Sequence, residues 1–271
     1  MKMLFIGGGN MAAALIGGLI ARGTSAADIV VADPSEAQRE SLAARFGVAA
    51  VPAADAATIG ASGLILLAVK PQQMREAVGA LAPAIAGQLV ISVAAGIRAV
   101  DLSRWLGGHR RIVRAMPNTP ALIGQGVTGL AAPADLASGD RALAERILGA
   151  VGTTVWVDDE SKLDAVTAIS GSGPAYVFLF IEALEAAAVK LGLNPDQARA
   201  LAQGTVAGAA QLAAQSSEPP ATLRERVTSK GGTTAAALAE FEAAGLRELV
   251  ARATRAAERR SVELGDEFGR A

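Results

Sequence analysis

The fold is decided by ten residues near the start of the chain, Met3-Leu-Phe-Ile-Gly-Gly-Gly-Asn-Met-Ala12. A short apolar strand runs here directly into Gly7-x-Gly9-x-x-Ala12, and a helical pattern follows over 13–22. In this glycine pattern the first glycine allows a tight turn and the second lets a pyrophosphate approach backbone N–H groups. The third small residue lets the helix pack closely on the strand. The stretch therefore predicts a nucleotide-binding turn between a strand and a helix.

An acidic residue follows the second predicted strand, 29–32, and supports this interpretation. Asp33 lies about 20 residues beyond the third small residue, where an acid usually accepts hydrogen bonds from ribose hydroxyls. Its alternative role is local, as a cap for the helix that begins near Ser35.

Composition and charge narrow the class of protein. The 271 residues are 51% hydrophobic and carry a net charge of −1. Such a chain can bury a large core, and without a basic cluster nucleic acid is not an expected partner. The uncharged run 77–97 is divided by Pro83 and Gly87, so no membrane span is expected. A secretory leader is disfavoured because glycines interrupt the apolar stretch after Lys2, and the lack of cysteine agrees with a cytoplasmic protein.

Strands alternate with helices in the first half of the chain and helices alone fill the second. Strands are predicted at 3–6, 29–32, 64–69, 89–93, 112–115, 126–131 and 154–157. This alternation is typical of a parallel, doubly wound sheet. Helices are predicted at 161–170, 174–191, 195–215, 221–229, 234–244 and 246–264. The predicted fold class is α/β, with a Rossmann-like nucleotide-binding domain over 1–158 and an all-helical substrate and dimerisation domain over 159–271.

Three loops follow predicted strands and meet at the carboxyl edge of the sheet, where open α/β sheets bind ligands. They are Ala68-Val-Lys-Pro71, Ala94-Ala-Gly96 and Met116-Pro-Asn-Thr-Pro120. The first delivers Lys70 to that edge, although a solvated surface lysine is the alternative. The small residues of the second would let a nicotinamide ring lie against the backbone. In the third, Asn118 can both donate and accept hydrogen bonds.

A second glycine-rich segment, Ser229-Lys-Gly-Gly-Thr-Thr234, stands just before an alanine-rich helical run. The glycines allow a tight turn and close approach of a ligand, and the unpaired N–H groups of a helix start attract anions. We interpret the segment as a carboxylate site. On local sequence alone, an ordinary loop before a capped helix remains the alternative.

Together these motifs resemble those of the pyrroline-5-carboxylate reductases, and the resemblance spans nearly the whole chain. It rests on Gly7-Gly-Gly-Asn-Met11, Ala68-Val-Lys-Pro71, Ala94-Ala-Gly96, Met116-Pro-Asn-Thr-Pro120, Ser170-Gly-Ser-Gly-Pro-Ala-Tyr176 and Ser229-Lys-Gly-Gly-Thr-Thr234. The resemblance implies hydride transfer from NADPH or NADH to the C=N carbon of 1-pyrroline-5-carboxylate, which gives L-proline. It also implies a homodimer, in some relatives assembled into a ring of dimers, in which each site borrows the glycine-threonine loop of the partner subunit.

The resemblance further implies roles for individual residues. Thr234 would hydrogen-bond the ring nitrogen, and Lys70 would touch the nicotinamide ribose or raise the local positive potential. The expected substrate-binding residues are Ser229, Gly231, Gly232, Thr233, Thr234 and Glu218, and the alternative for Glu218 is a solvated loop carboxylate. The expected cofactor-binding residues are Ile6, Gly7, Gly8, Gly9, Asn10, Met11, Asp33, Ala68, Val69, Lys70, Pro71, Ala94, Ala95 and Asn118. No metal is expected.

Two positions depart from the family pattern. Relatives mostly prefer NADPH, whereas Asp33 would repel a 2′-phosphate, so NADH is expected to work unusually well. Arg39, one turn into the next helix, could still reach a phosphate. Many relatives carry proline where this chain has Lys230. The single histidine, His109, lies in a loop and is not expected to be a catalytic base.

Two other functions are alternatives for a chain with this pattern. The first is a reductase of the β-hydroxyacid dehydrogenase type, which uses a helix lysine as acid; the nearest candidate is Lys190, close to a helix end. The second is a nucleotide-sensing or scaffold dimer that has lost its chemistry. Retention of both threonines in the glycine-threonine loop argues against the second.

Overall fold

The computed structural model describes residues 1–270. Its strands are β1 (Met3–Ile6), β2 (Ile29–Ala32), β3 (Ala49–Val51), β4 (Leu64–Leu67), β5 (Leu89–Ser92), β6 (Ile112–Met116), β7 (Gly126–Ala131) and β8 (Gly152–Trp156). The helices of the first part are α1 (Asn10–Ala21), α2 (Glu36–Phe46), α3 (Ala56–Ala61), α4 (Met74–Leu81), α5 (Ala99–Trp105), α6 (Ser138–Leu148) and α7 (Lys162–Val166). Those that follow are α8 (Gly173–Lys190), α9 (Pro195–Gln215), α10 (Pro220–Arg226), α11 (Thr233–Ala243) and α12 (Leu246–Arg270).

The eight strands form one sheet in the order β3-β2-β1-β4-β5-β6-β7-β8. Neighbouring strands run parallel except β6 and β7, which pair antiparallel. The chain order reverses between β1 and β4, so a crevice opens there at the carboxyl edge, as in other doubly wound sheets. The predicted α/β class and doubly wound sheet are confirmed.

The sheet has a hydrophobic core on each face because successive side chains of a strand point to opposite sides. In β1, Met3 and Phe5 belong to one buried cluster, whereas Leu4 and Ile6 belong to the other. All four residues are less than 10% exposed. Burial on both faces explains why the central strands read as continuous apolar runs.

The described chain divides into two compact units. The first contains 1–172 and the end of the last helix, 256–270, and the second contains Gly173–Arg255. The predicted boundary at 158/159 stays a prediction. What the sequence pattern does not show is the return of the last helix to the first unit, where Asp266 pairs with Arg98 at 2.6 Å. Ser261 Oγ also donates to Asp164 Oδ1 at 2.6 Å.

The second unit is built from helices alone. α8 packs on α9, whose Ala198 and Ala202 are buried. The rings of Phe180 and Phe241 lie 6.5 Å apart. At the junction of α11 and α12, the Arg247 guanidinium donates to the Glu242 carboxylate and holds the pKa of Glu242 below its ordinary value of 4.5.

The second unit also exposes much apolar surface. No residue of α8 is buried within the chain, and 176–180 are all exposed. The continuous helical stretch Lys162–Lys190 is long and apolar enough to cross a membrane by length and composition. A face of this kind requires a partner surface or a lipid.

Candidate active site

The turn after β1 has a conformation that requires glycine. Gly7 has φ +94°, and a Cβ added there would lie 2.7 Å from the carbonyl oxygen of Ala68. Its N–H donates to the Ala32 carbonyl at 2.8 Å, which ties the turn to the end of β2. Any side chain at this position would therefore be strained and would push β1 from β4.

The start of α1 provides unpaired backbone donors beside this turn. Gly9 is the N-cap, and an added Cβ there would meet open space. Among 1–270, no residue accepts from the N–H groups of Asn10, Met11 or Ala12. Three such donors at the positive end of a 12-residue helix suit a pyrophosphate.

The Asp33 carboxylate is fixed between this glycine turn and the start of α2. Its Oδ2 accepts from the Gly8 N–H at 2.7 Å, and its Oδ1 accepts from the Ser35 N–H at 2.8 Å. The N-cap of α2 is Ser35, whose Oγ accepts from the Gln38 N–H, so the alternative in which Asp33 caps this helix is wrong. The contact between Asp33 and a ribose stays a prediction. Arg39 donates to the carbonyl oxygens of Asp33 and Pro34, at 2.8 Å each.

An apolar cavity of about 350 Å³ lies beside Asp33. It is lined by Ile6, Ala32, Pro34, Pro52, Ala53, Ala54, Val69, Gln73, Glu76, Ala77, Ala80 and Leu81. Its position between the ends of β2, β3 and β4 suits the flat apolar faces of an adenine ring. The part of this wall at 52–54 follows β3, which the sequence pattern did not predict, although Pro52 after a short Ala-Ala-Val run is a turn signal.

Lys70 and the 94–96 loop lie at the carboxyl edge, as predicted. Lys70 is exposed and precedes a single turn, 71–73, whose Gln73 N–H donates to the Lys70 carbonyl at 2.9 Å. Ala94 is buried, and Gly96 has φ +74°. A Cβ on Gly96 would lie 3.1 Å from the Phe268 ring, so the end of α12 backs this loop. Their roles toward cofactor stay predictions.

The Asn118 side chain is buried and uses both amide groups within the chain. Its Nδ2 donates to the Ser170 carbonyl at 3.0 Å, and its Oδ1 accepts from the Val127 N–H at 2.9 Å. A contact between this side chain and cofactor was expected from the sequence and stays untested. His109 lies at the opposite edge, before β6, where its Nε2 is 2.9 Å from the Gln88 carbonyl. That bond gives it a structural role.

In the second unit, the glycine-threonine loop forms a tight turn. The Gly232 N–H donates to the Ser229 carbonyl at 3.0 Å, and Gly231 has φ +71°. This pattern matches a type II turn with Lys230 and Gly231 at its centre. A Cβ added to Gly232 would collide with Ser229 Oγ, so the loop needs glycine at both positions.

Helix α11 begins immediately after this turn, with Gly232 as its N-cap. The N–H groups of Thr233, Thr234 and Ala235 have no acceptor within 1–270. The hydroxyls of both threonines likewise make no hydrogen bond to other described residues. Residues 229–234 therefore present backbone donors and hydroxyls together, as a carboxylate requires.

Glu218 forms an ion pair in the loop before α10. Its carboxylate accepts from Arg226 at 2.6 Å, and its N–H donates to Ser216 Oγ at 3.0 Å. The pair ties the beginning of α10 to its end, three residues before Ser229. A contact between Glu218 and substrate stays a prediction.

The glycine turn, the α1 donors, the fixed carboxylate and the apolar cleft fit a nicotinamide dinucleotide, since the backbone leaves the pyrophosphate room that side chains would fill. A helical unit that contains the glycine-threonine loop follows this nucleotide domain. The protein is therefore an NAD(P)-dependent oxidoreductase in which a Rossmann domain precedes a helical domain.

Comparisons with known proteins give the family. The model described as pyrroline-5-carboxylate reductase dimerisation matches residues 160–264, and the model described as NADP oxidoreductase, coenzyme F420-dependent, matches 2–96. The chain is 48% identical over 269 residues to the pyrroline-5-carboxylate reductase of Pseudomonas aeruginosa, covering 99% of this chain and 98% of that protein.

Two solved structures agree. A pyrroline-5-carboxylate reductase from Coxiella burnetii superposes with a TM-score of 0.92 at 40% identity, covering 97% of this chain and 98% of that one. The Plasmodium falciparum pyrroline carboxylate reductase with NADP bound superposes with a TM-score of 0.84 at 29% identity, covering 98% of each chain. The chain belongs to the pyrroline-5-carboxylate reductase family.

This result confirms the resemblance, the reductase class and the nicotinamide cofactor expected from the sequence. It decides against the β-hydroxyacid dehydrogenase alternative and its candidate acid, Lys190, which ends α8. The dimerisation model also makes the protein a homo-oligomer that acts on a small molecule.

Proposed function

We propose that the protein reduces the C=N bond of 1-pyrroline-5-carboxylate with NADH or NADPH and forms L-proline, as the last step of proline biosynthesis. The observation that carries the proposal is the start of α11, where Gly232 leaves three backbone N–H groups without acceptors. A small cyclic carboxylate fits such a site, and the nucleotide domain suits the hydride donor.

The residues of the glycine-threonine loop anchor the substrate. The N–H groups of Thr233 and Thr234 bind its carboxylate, assisted by Ser229 Oγ, which lies against Gly232. Charge-assisted bonds from fixed donors need no reorganisation at the moment of reaction. The anchored ring then presents one face for attack.

The reaction requires little acid–base catalysis from the protein. A protonated cyclic imine is already an electrophile, and a bound reduced nicotinamide supplies the hydride, two electrons and one hydrogen, to the imine carbon. The nitrogen keeps its proton and becomes the amine of proline. The Thr234 hydroxyl hydrogen-bonds that nitrogen, while Lys70 raises the positive potential that attracts an anionic substrate.

The test of the proposal is the loss of reduced-nicotinamide absorbance when purified protein meets 1-pyrroline-5-carboxylate. We expect turnover in the wild type and a fall in kcat of about a hundredfold for Thr234→Ala, because one stabilising hydroxyl is removed. Thr222→Ala, on α10, is the control and should keep wild-type activity. Cofactor binding without any turnover would overturn the proposal.

We also propose that Asp33 favours NADH over NADPH. Its carboxylate is held against Gly8 and would repel a 2′-phosphate, and the Arg39 guanidinium is engaged by the carbonyls of Asp33 and Pro34. Asp33→Asn keeps an acceptor for Gly8 but removes the charge. The ratio of kcat/KM for NADPH over NADH should rise about tenfold. Asp28, an acidic residue just before β2, is the control position, and Asp28→Asn should leave the ratio unchanged. An unchanged ratio in Asp33→Asn would refute the proposed role of Asp33.

Finally, we propose a homodimer in the cytoplasm, able to assemble into a ring of dimers, with no membrane or nucleic-acid partner. The apolar face of α8 lies within the region that the dimerisation model matches. A second copy would bury that face, so no lipid is needed to cover Lys162–Lys190.

A further inference from the structure

The helical stretch that begins with α7 is irregular where it leaves the first unit. After α7, residues 167–171 form a π turn, and the Ser172 N–H donates to the Thr167 carbonyl at 2.8 Å. α8 then starts at Gly173 with Pro174 in its first turn. Such π turns interrupt α-helices frequently at functional sites.

Pro174 leaves the Ser170 carbonyl without its usual backbone hydrogen-bond donor. In a continuous α-helix the Ser170 carbonyl would accept from the N–H four residues later, but proline has none. A carbonyl that is partly shielded from water, as in the half-buried Ser170, loses free energy when it has no donor. In this chain the missing donor comes from another loop, because Asn118 Nδ2 donates to the Ser170 carbonyl at 3.0 Å.

Two further contacts hold Asn118 and the π turn in place. Asn118 Oδ1 accepts from the Val127 N–H at 2.9 Å, so its amide is held from both sides. A Cβ added to Gly171 would lie 2.6 Å from Met116 Cε, so the π turn packs directly on the residues that end β6. Asn118 is only 9% exposed, and its side chain cannot turn to another partner without leaving the Ser170 carbonyl and the Val127 N–H unpaired.

We propose that Asn118 is a positioning residue that replaces the hydrogen-bond donor Pro174 lacks, and so fixes the π turn at the carboxyl edge of the sheet. The inference rests on the proposed reductase function, because β5 and β6 end at this edge beside Ala94 and Gly96. A loose π turn would disturb the end of β6 at this edge, where the nicotinamide ring is expected to be held in position for hydride transfer.

The experiment combines Asn118→Ala with Pro174→Ala, which restores a backbone N–H four residues after Ser170. Asn118→Ala should raise KM for 1-pyrroline-5-carboxylate about tenfold, because the Ser170 carbonyl loses its donor and the π turn loosens. The dissociation constant of NADH should change less. The double variant should recover most of that loss. Asn194→Ala, which removes an exposed helix cap on α9, is the control for a general loss of stability and should leave KM unchanged.

A second readout does not depend on turnover. Urea unfolding of the wild type, both single variants and the double variant forms a cycle, and the two substitutions should couple by about fivefold or more in the unfolding equilibrium constant. Additive effects of the two substitutions in this cycle would overturn the inference. It would also be overturned if Asn118→Ala raised the dissociation constant of NADH by as large a factor as KM. If the wild type lacks turnover, the proposed function fails while the cycle still decides on the Asn118 bond.

Discussion

At the scale of the residue, glycine is required for different reasons in the turn after β1 and in the glycine-threonine loop. Gly7 is needed for its positive φ and for the closeness of the Ala68 carbonyl. Gly232 has an ordinary φ of −83°, so backbone strain is not the reason for glycine there. The reason is the Ser229 hydroxyl, which occupies the space a Cβ would need.

This difference gives a prediction for Gly232→Ala. The new Cβ pushes Ser229 out of the loop and covers the N–H groups of Thr233 and Thr234, so KM for the carboxylate substrate should rise at least about tenfold. NADH affinity should stay near the wild-type value, because the nucleotide loop is untouched. Steady-state kinetics and cofactor fluorescence titration measure the two quantities.

Gly79→Ala is the matched control for a glycine-to-alanine change. Gly79 lies in α4, is exposed, and an added Cβ meets open space. A helical glycine of this kind should gain up to about 1 kcal/mol of unfolding free energy as alanine and keep normal kinetics. If Gly232→Ala also kept a normal KM, the carboxylate site would have to lie elsewhere.

At the scale of the element, the strongest sequence signals were periodicity and glycine spacing. They predicted seven of the strands nearly to the residue, and the glycine turn after β1. They missed β3 because Ala49–Val51 is three residues long, two of them alanine, and is not fully buried. They ended the last helix at 264, whereas it runs to Arg270.

Tertiary contacts explain the longer helix. A Cβ added to Gly265 would lie 3.1 Å from the Arg98 guanidinium, and the Asp266 carboxylate pairs with the same guanidinium. The helix therefore continues to Arg270 since packing outweighs the weak helix propensity of glycine. The hydrogen bond between Asn118 and Ser170 could not be predicted either, because the two residues are 52 positions apart and neither sequence motif indicates a contact with the other.

The turn before α11 gives a prediction for Lys230→Pro. Position two of a type II turn favours proline, and no described residue accepts from the Lys230 N–H. The substitution should raise the free energy of unfolding by about 0.4–1 kcal/mol by restricting the unfolded chain. Urea denaturation measures it, with Lys230→Ala as the control for loss of the charge. Lower stability in Lys230→Pro than in Lys230→Ala would contradict the turn assignment.

At the scale of the whole molecule, the two units differ in how they use apolar side chains. The first surrounds its sheet with two buried clusters, whereas the second leaves α8 without a buried residue. A helix that is apolar and unburied within its own chain is stable only when another surface covers it. The dimerisation model over 160–264 makes another copy of the chain the natural cover.

The last prediction concerns Leu179→Glu. Leu179 is 66% exposed on α8, and a charge there would be buried without a partner in a homo-oligomer, once for every subunit. The subunit dissociation constant should rise at least about a hundredfold. Light scattering across a dilution series measures it. Val100→Glu, with 64% exposure on α5 of the first unit, should leave the oligomer intact. Because the substrate site is expected to include a loop of the partner subunit, turnover should fall in proportion to the fraction of protein that remains oligomeric. Full activity in a monomeric variant would show that a single chain is sufficient for turnover.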